Sequence, residues 1–268
     1  MQWRFDQNVP DNYERYLVPS IFAPWAHDLV ELAELHPGEH VLDVACGTGI
    51  VARTAARKLG GGSNIVGMDL SGPMLAAARS AARDDNVAIE WREGTAVNLP
   101  LADAAFDVVF CQQGLQFFPD RAKALKEMHR VLRPGRRVVL SVWREIELSP
   151  GFAILAEALA RHISAEAGML MTSGPFGLSN AEQLRELLAG ASFDQVTITP
   201  AVKVVHFPTP EEFVEHYVSG SALSGPVAAA GDENRSALAA EVETRLRGYV
   251  DDHGLAFPIE SNLAVARK

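Results

Sequence analysis

Two carboxylates and two glycines carry the first chemistry that can be read in this chain. In the run VLDVACGTGIVARTAARKLG, residues 41–60, Asp43 stands four positions before Gly47, and Asp69 follows twenty residues after Gly49. Glycines at 47 and 49 let the backbone turn sharply and let a ligand approach the main chain, while a helix starting near Ile50 offers unpaired N–H groups. Asp69 ends the apolar run IVGMD, where a carboxylate can accept hydrogen bonds from both hydroxyls of a ribose. Asp43 lies inside an apolar strand, so its charge calls for a cation or a set of loop N–H donors. The chemistry on offer is the holding of a nucleotide-like ligand at a strand-to-helix turn.

The elements that position these groups follow from the spacing of apolar residues. Val41, Leu42 and Val44 form a β-branched, apolar strand, and the Ala-rich stretch after Gly49 has helical spacing as far as Leu59, with Gly60-Gly61-Gly62 as its stop. Ser71 caps a helix over 72–83 that carries Pro73 in its first turn. Strands are expected near 87–92, 107–111 and 137–143, with a helix over 121–132 before Arg133-Pro134-Gly135. Strand and helix alternate throughout, which predicts a doubly wound α/β sheet with ligands at the carboxyl ends of its strands.

Asp43-Val-Ala45-Cys-Gly47-Thr-Gly49 resembles motif I of the class I S-adenosylmethionine-dependent methyltransferases, acid-x-Gly-x-Gly-x-Gly, with Ala45 in the first glycine position. The resemblance runs on through GMDLS, EGTAVNLPLADAAFDVVFCQQGLQFFPD and VLRPGRRVVLSVW, from about Gly38 to Arg144. It is similar in particular to the ubiquinone and menaquinone biosynthesis group, methyltransferase type 11. That resemblance implies a Rossmann-like, seven-stranded sheet, mostly parallel with a final antiparallel strand. It also implies S-adenosylmethionine as cofactor, S-adenosylhomocysteine as product, and a small-molecule acceptor methylated at oxygen, nitrogen or carbon.

By the same resemblance the cofactor falls to Asp43, Ala45, Gly47, Thr48, Gly49, Asp69, Leu70, Met74, Thr95, Ala96, Gln112 and Tyr16. Met74 corresponds to an apolar residue lying along the adenine, and Tyr16 belongs to an N-terminal arm of the kind that folds over the cofactor. Thr95 stands where the family pattern most often has an Asp that accepts a hydrogen bond from the adenine amino group. A neutral acceptor there gives up about 1 kcal/mol, and the Ala96 N–H can still meet a ring nitrogen. Gln112, Gln113 and Gln116 emerge at the end of the fourth strand and are expected to face cofactor and substrate. Two other readings stay open. Gly47-Thr-Gly49-Ile-Val-Ala52 also fits the GxGxxA fingerprint of an NAD(P)-dependent oxidoreductase. A cofactor-binding protein of this fold without methyl transfer would carry the same residues.

Composition bounds the partners. Lys plus Arg number 24 against 34 Asp plus Glu, a net charge of −10, which disfavours a nucleic-acid backbone because phosphate binding needs a basic face. Hydrophobic residues make up 48% of the chain, enough for a large core, yet no apolar run approaches a membrane span. The opening residues MQWRFDQNVPDNYERY are too polar for a signal peptide, so a cytoplasmic protein is expected. Two cysteines, Cys46 and Cys111, point to neither a disulfide framework nor a metal site. Oligomeric state is not readable from the sequence.

Domain order is expected as an N-terminal helical arm over 1–37 and a cofactor-binding core over 38–207 that carries a helical insertion near 145–180. A helical lid over 208–254 and a last strand over 255–268 complete it. Pro19 and Pro24 are expected to interrupt the arm before a helix from Pro24 to Leu35. QVTITPAVKVVHF and AFPIESNLAVARK alternate as a terminal strand pair. Phe152, Met169, Met171, Phe176, Phe213 and Tyr217 give the insertions an apolar character that suits a hydrophobic or aromatic acceptor. His27, His162, His206, His216 and Glu212 are conceivable bases, but no motif singles one out, and the catalytic residue stays unassigned.

Overall fold

The computed structural model describes residues 8–60 and 63–268; Gly61, Gly62 and the first seven residues of the polar N-terminus lie outside the described residues. In chain order the elements are α1 (Val9–Asn12), a π-helical segment (Tyr13–Phe22), α2 (Ala23–Leu32), β1 (Val41–Val44), α3 (Ile50–Leu59), β2 (Ile65–Asp69) and α4 (Gly72–Asp84). There follow β3 (Glu90–Glu93), β4 (Phe106–Gln112), α5 (Arg121–Val131), β5 (Leu132–Trp143), α6 (Pro150–His162), α7 (Ala165–Thr172) and α8 (Ala181–Gly190). The chain ends with β6 (Asp194–Phe207), α9 (Pro210–Ser219), α10 (Ser224–Ala229), α11 (Gly231–Leu246), β7 (Val250–Asp251) and β8 (Gly254–Arg267).

The sheet has the order β3-β2-β1-β4-β5-β8-β6, with β7 beside β8. Strands β3 to β5 run parallel, and Ser261–Arg267 of β8 pairs antiparallel with β5. This is the expected doubly wound sheet with an antiparallel finish. Strand order reverses between β1 and β4, the point at which open α/β sheets bind ligands.

The chain divides into two compact units. One comprises the described part of Met1–Ile21 with Glu145–Gly177 and Val202–Glu260; the other comprises Phe22–Arg144, Leu178–Ala201 and Ser261–Lys268. In the second unit Leu42, Val44, Val66, Met68, Val109, Val138 and Leu140 form the core of the sheet. At its floor Arg137 grips Glu39 through two hydrogen bonds, at 2.9 and 2.8 Å, and caps the end of α2 by donating to the carbonyls of Ala33 and Glu34. That contact fastens α2 to β5. The guanidinium and the His36 amide hold the Glu39 carboxyl below its ordinary range against the opposing effect of burial.

The first unit has its own core around Phe152, which meets Phe176, Phe213, Tyr217 and Phe257 at ring centroid distances of 5.1–6.0 Å. Gly151 exists for this packing. A β-carbon there would stand 2.3 Å from the Phe257 ring. The expected aromatic and Met-rich insertion residues are thus divided, with Phe152, Met171, Phe213 and Tyr217 buried and Met169 54% exposed.

The N-terminal arm differs from expectation. Pro19 does not break it: helix runs from Val9 to Leu32, with i→i+5 bonding from Tyr13 to Phe22 and Pro24 in the first turn of α2. A π-turn is wider than an α-turn, so the pyrrolidine ring meets less of the preceding carbonyl and the helix can pass it.

Candidate functional site

The loop from Ala45 to Gly49 joins β1 to α3 and turns on three left-handed residues, Ala45 (φ 56°), Gly47 (φ 55°) and Gly49 (φ 83°). Ala45 occupies a conformation that glycine adopts freely and that costs an L-residue about 1 kcal/mol. Its methyl packs against Gly114 in the loop after β4, where a β-carbon would stand 2.8 Å from Ala45 Cβ. The smallness of Gly114 therefore lets the β4 loop close on the β1 loop.

Hydrogen bonds then fix the turn. The Cys46 amide donates to the Met68 carbonyl at 3.0 Å, and the Gly49 amide to the Cys46 carbonyl at 2.8 Å. The Gly47 amide donates to Asp69 Oδ2 at 2.8 Å, and the Ser71 amide to Asp69 Oδ1 at 2.8 Å. The expected ribose acid is therefore held by two main-chain donors. Each oxygen retains a second lone pair for a ligand.

Asp43 is 1% exposed. Its Oδ2 accepts from the Ala52 amide in the first turn of α3 at 3.0 Å, while Oδ1 has no partner. Burial pushes its carboxyl up to about 8; the Ala52 amide opposes that shift and the Asp69 charge adds to it. Thr48 is 1% exposed and its Oγ1 also lacks a partner. At the end of β4, Gln112 donates through Nε2 to the Phe22 carbonyl at 3.0 Å and leaves a buried Oε1 unpartnered. Three buried oxygens on β1, its loop and β4 thus await partners, and buried polar atoms are rarely left so. A cofactor that brings an ammonium and hydroxyls fits this set.

Leu70 beside the ribose acid is 71% exposed, and Met74 is half-buried with its amide bonded to the Ser71 cap at 3.3 Å. Thr95 Oγ1 accepts from the Val97 amide at 3.4 Å, and Ala96 next to it is buried in the sheet core. The other glutamines differ from expectation. Gln113 donates to Ser261 Oγ at 3.0 Å, Gln116 donates to Gln113 Oε1 at 3.3 Å, and Ser261 donates to the Val142 carbonyl at 2.9 Å. This chain ties the β4 loop to β5 and β8. Ser261 lies 148 residues beyond Gln113, so nothing local in the sequence announced it.

In the other unit Tyr16 stacks on His216, with centroids 3.9 Å apart and planes 7° from parallel, and the Arg15 guanidinium carbon lies 5.2 Å from the Tyr16 centroid. Burial holds the His216 imidazole below its ordinary value, while Glu212 and Glu215 pull the other way. His162 pairs with Glu241 at 2.7 Å, and His27 is largely exposed 4.0 Å from Asp28. Among the described residues no cluster of His, Cys, Asp or Glu has the form of a metal site. Burial pushes the Cys111 thiol up to about 12 and that of Cys46 well above the usual thiol value, so both stay protonated packers.

A cleft of about 550 Å³ opens at the amino ends of β2 and β3, lined by Ser63, Ile65, Arg79, Arg83, Val87 and Trp91. Its lining includes neither the loop from Ala45 to Gly49 nor Asp69. The orphaned oxygens, and not this cleft, mark the candidate site.

Comparison with known proteins identifies the family. Residues 42–140 match the family described as "Methyltransferase domain". The chain is 40% identical over 134 residues to the 2-phytyl-1,4-beta-naphthoquinone methyltransferase of Arabidopsis thaliana, covering 48% of this chain and 51% of that protein. It is 30% identical to the demethylmenaquinone methyltransferase of Lactobacillus johnsonii, covering 65% of this chain and 76% of that protein. The chain thus spans about half the length of the plant relative. Among solved structures, phosphoethanolamine N-methyltransferase 2 of Haemonchus contortus, in complex with phosphomonomethylethanolamine and S-adenosylhomocysteine, aligns with a TM-score of 0.62. Its identity is 20%, with 97% of this chain and 56% of that chain covered, which is a likeness of fold.

Proposed function

Since this chain belongs to the class I S-adenosylmethionine-dependent methyltransferases, in the group of the quinone methyltransferases, we propose that it methylates a small, apolar or aromatic molecule of quinone type at oxygen, nitrogen or carbon. The observation that carries this reading is the pair of Asp43 and Asp69 about one loop, the first buried with an open oxygen and the second bound by the Gly47 amide. Asp69 offers its remaining lone pairs to ribose hydroxyls, and Asp43 offers a carboxylate to the ammonium of a methionine moiety. Leu70 and Met74 supply apolar surface for the adenine, and Thr95 and Ala96 supply a hydroxyl and an amide for its edge. Gln112 Oε1, held by the bond from Nε2 to Phe22, adds an acceptor at the end of β4.

S-adenosylmethionine, when bound, supplies a methyl group already activated on a sulfonium. What remains for the protein is to align an acceptor with that methyl and to exclude water. The names of the relatives and the apolar insertions support the acceptor class, and the net charge of −10 supports a small molecule over a nucleic acid. No described helix is long and apolar enough to cross a membrane. The oxidoreductase reading of the same glycines is not favoured, because the matched stretch runs on to residue 140, far past the fingerprint they share.

The test incubates the protein with methyl-labelled donor and a panel of hydroquinones, phenols, amines and carboxylates. Label is expected in the hydroquinone products. Tight binding of S-adenosylhomocysteine with no labelled product from any acceptor would return the chain to a cofactor-binding role, and binding of NAD instead would return it to the oxidoreductases.

A further inference from the structure

Across the sheet, register aligns Trp91 of β3 with Gly67 of β2, Gly67 with Asp43 of β1, and Asp43 with Phe110 of β4. Register partners in a parallel sheet share a face, so these four form one row. Gly67 is its gap. A β-carbon at Gly67 would stand 2.3 Å from Trp91 Cζ3, and one at Gly49 would stand 2.2 Å from Trp91 Cη2. One indole therefore covers Gly67 and reaches the far side of the next strand, to the residue that caps α3.

Resting on the cofactor reading above, we propose that Trp91 is a positioning residue for the cofactor loop. Its ring is the surface on which left-handed Gly49 and the first turn of α3 rest. That turn carries the Ala52 amide bonded to Asp43, and the loop before it carries the Gly47 amide bonded to Asp69. Cys46 completes the packing, since its Sγ lies 3.3 Å from where a Gly67 β-carbon would be. Gly49 takes its left-handed φ without strain, so what the aromatic plane of the edge strand fixes is the position of the turn. Glycine is required at 49 twice over, for its φ of 83° and for the indole that occupies the space of a side chain. The requirement at 67 is steric alone. Loss of the ring would leave the loop residues in place in sequence and without support in space.

The experiment compares wild type, Trp91→Ala, Trp91→Phe, Gly67→Ala and the double variant Gly67→Ala/Trp91→Ala. Amide exchange at Ala45 to Ala52 without ligand is read beside S-adenosylhomocysteine affinity. Trp91→Ala is expected to speed exchange in that loop while the strands stay protected, and to weaken binding on the order of tenfold. Trp91→Phe, which keeps a ring over Gly67, is expected to recover much of both. Gly67→Ala is expected to disturb the loop by displacing the indole, and the double variant to be no worse than Trp91→Ala, because coupled sites are not additive. Loop exchange unchanged in both Trp91→Ala and Trp91→Phe would overturn the proposal. So would faster exchange with unaltered affinity. A wild type that binds no S-adenosylhomocysteine would sink the cofactor reading, while ligand-free exchange would still judge whether Trp91 supports the loop. Should Trp91→Ala fail to fold, Trp91→Phe and Gly67→Ala decide the matter alone.

Discussion

The Gly47 amide donates to Asp69 Oδ2 at 2.8 Å, so the carboxylate proposed to hold a ribose is also a strut of the loop proposed to hold the rest of the cofactor. Ligand site and loop conformation are one structure. Substitutions at Asp69 should therefore act on both at once.

Asp69→Ala removes a side chain that accepts from two main-chain amides and, in the proposed role, from two ribose hydroxyls. S-adenosylhomocysteine binding is expected to weaken by about 2–4 kcal/mol, with Asp69→Asn, which keeps one oxygen, losing less. Titration calorimetry on folded variants measures this. Equal affinity in Asp69→Ala and wild type would remove the ribose role.

Asp43 predicts a pH dependence of definite sign. Its folded carboxyl is raised to about 8 from an ordinary value near 3.8, so between these pH values the native state holds a proton that the unfolded state has released. Stability from this group is full below about pH 4 and is lost as pH rises toward 8. Asp43→Asn, which can still accept from Ala52, should flatten that slope in denaturation curves taken from pH 5 to 8. A cationic cofactor reverses the preference. Binding of S-adenosylmethionine should release a proton and tighten as pH rises toward 8, seen as a buffer-dependent heat in calorimetry. Binding with no linked proton would place the ammonium elsewhere.

Thr95 tests the adenine end. Its hydroxyl accepts from the Val97 amide at 3.4 Å, a bond an aspartate can also make while offering a charged acceptor to the exocyclic amine. Thr95→Asp is expected to tighten cofactor binding by about 0.5–1.5 kcal/mol. Weaker binding would mean that the amine finds its partner at another residue.

Resemblance implies a cofactor role for Tyr16, whereas the structure stacks its ring on the imidazole of His216. Tyr16→Ala removes a stack worth about 0.5–1.5 kcal/mol and should speed amide exchange over Tyr13 to Leu17 and at the end of α9. If the ring also serves the cofactor, S-adenosylhomocysteine affinity falls with it; unchanged affinity returns Tyr16 to packing.

Where groups and partners are close in sequence, the chain alone disclosed them. The apolar run 41–44, the glycines at 47 and 49, the Ser71 cap and the acid closing IVGMD are decided within a few residues by strand pattern, turn chemistry and capping, and α3 and α4 begin where those signals put them. The doubly wound, mostly parallel sheet followed too, because strands alternating with helices leave few topologies. Tertiary structure decided the rest. Pro19 sits inside a continuous helix because a π-turn makes room for it. Gln113 and Gln116 turn from ligand candidates into fasteners because Ser261, at the far end of the chain, arrives beside them. The carboxyl of Asp43 rises because the sheet and α3 together exclude water from it. Trp91 touches Gly49 because Gly67 leaves its row of the sheet empty. Periodicity and capping report on neighbours along the chain, whereas desolvation and steric contact depend on residues that only the folded sheet brings together.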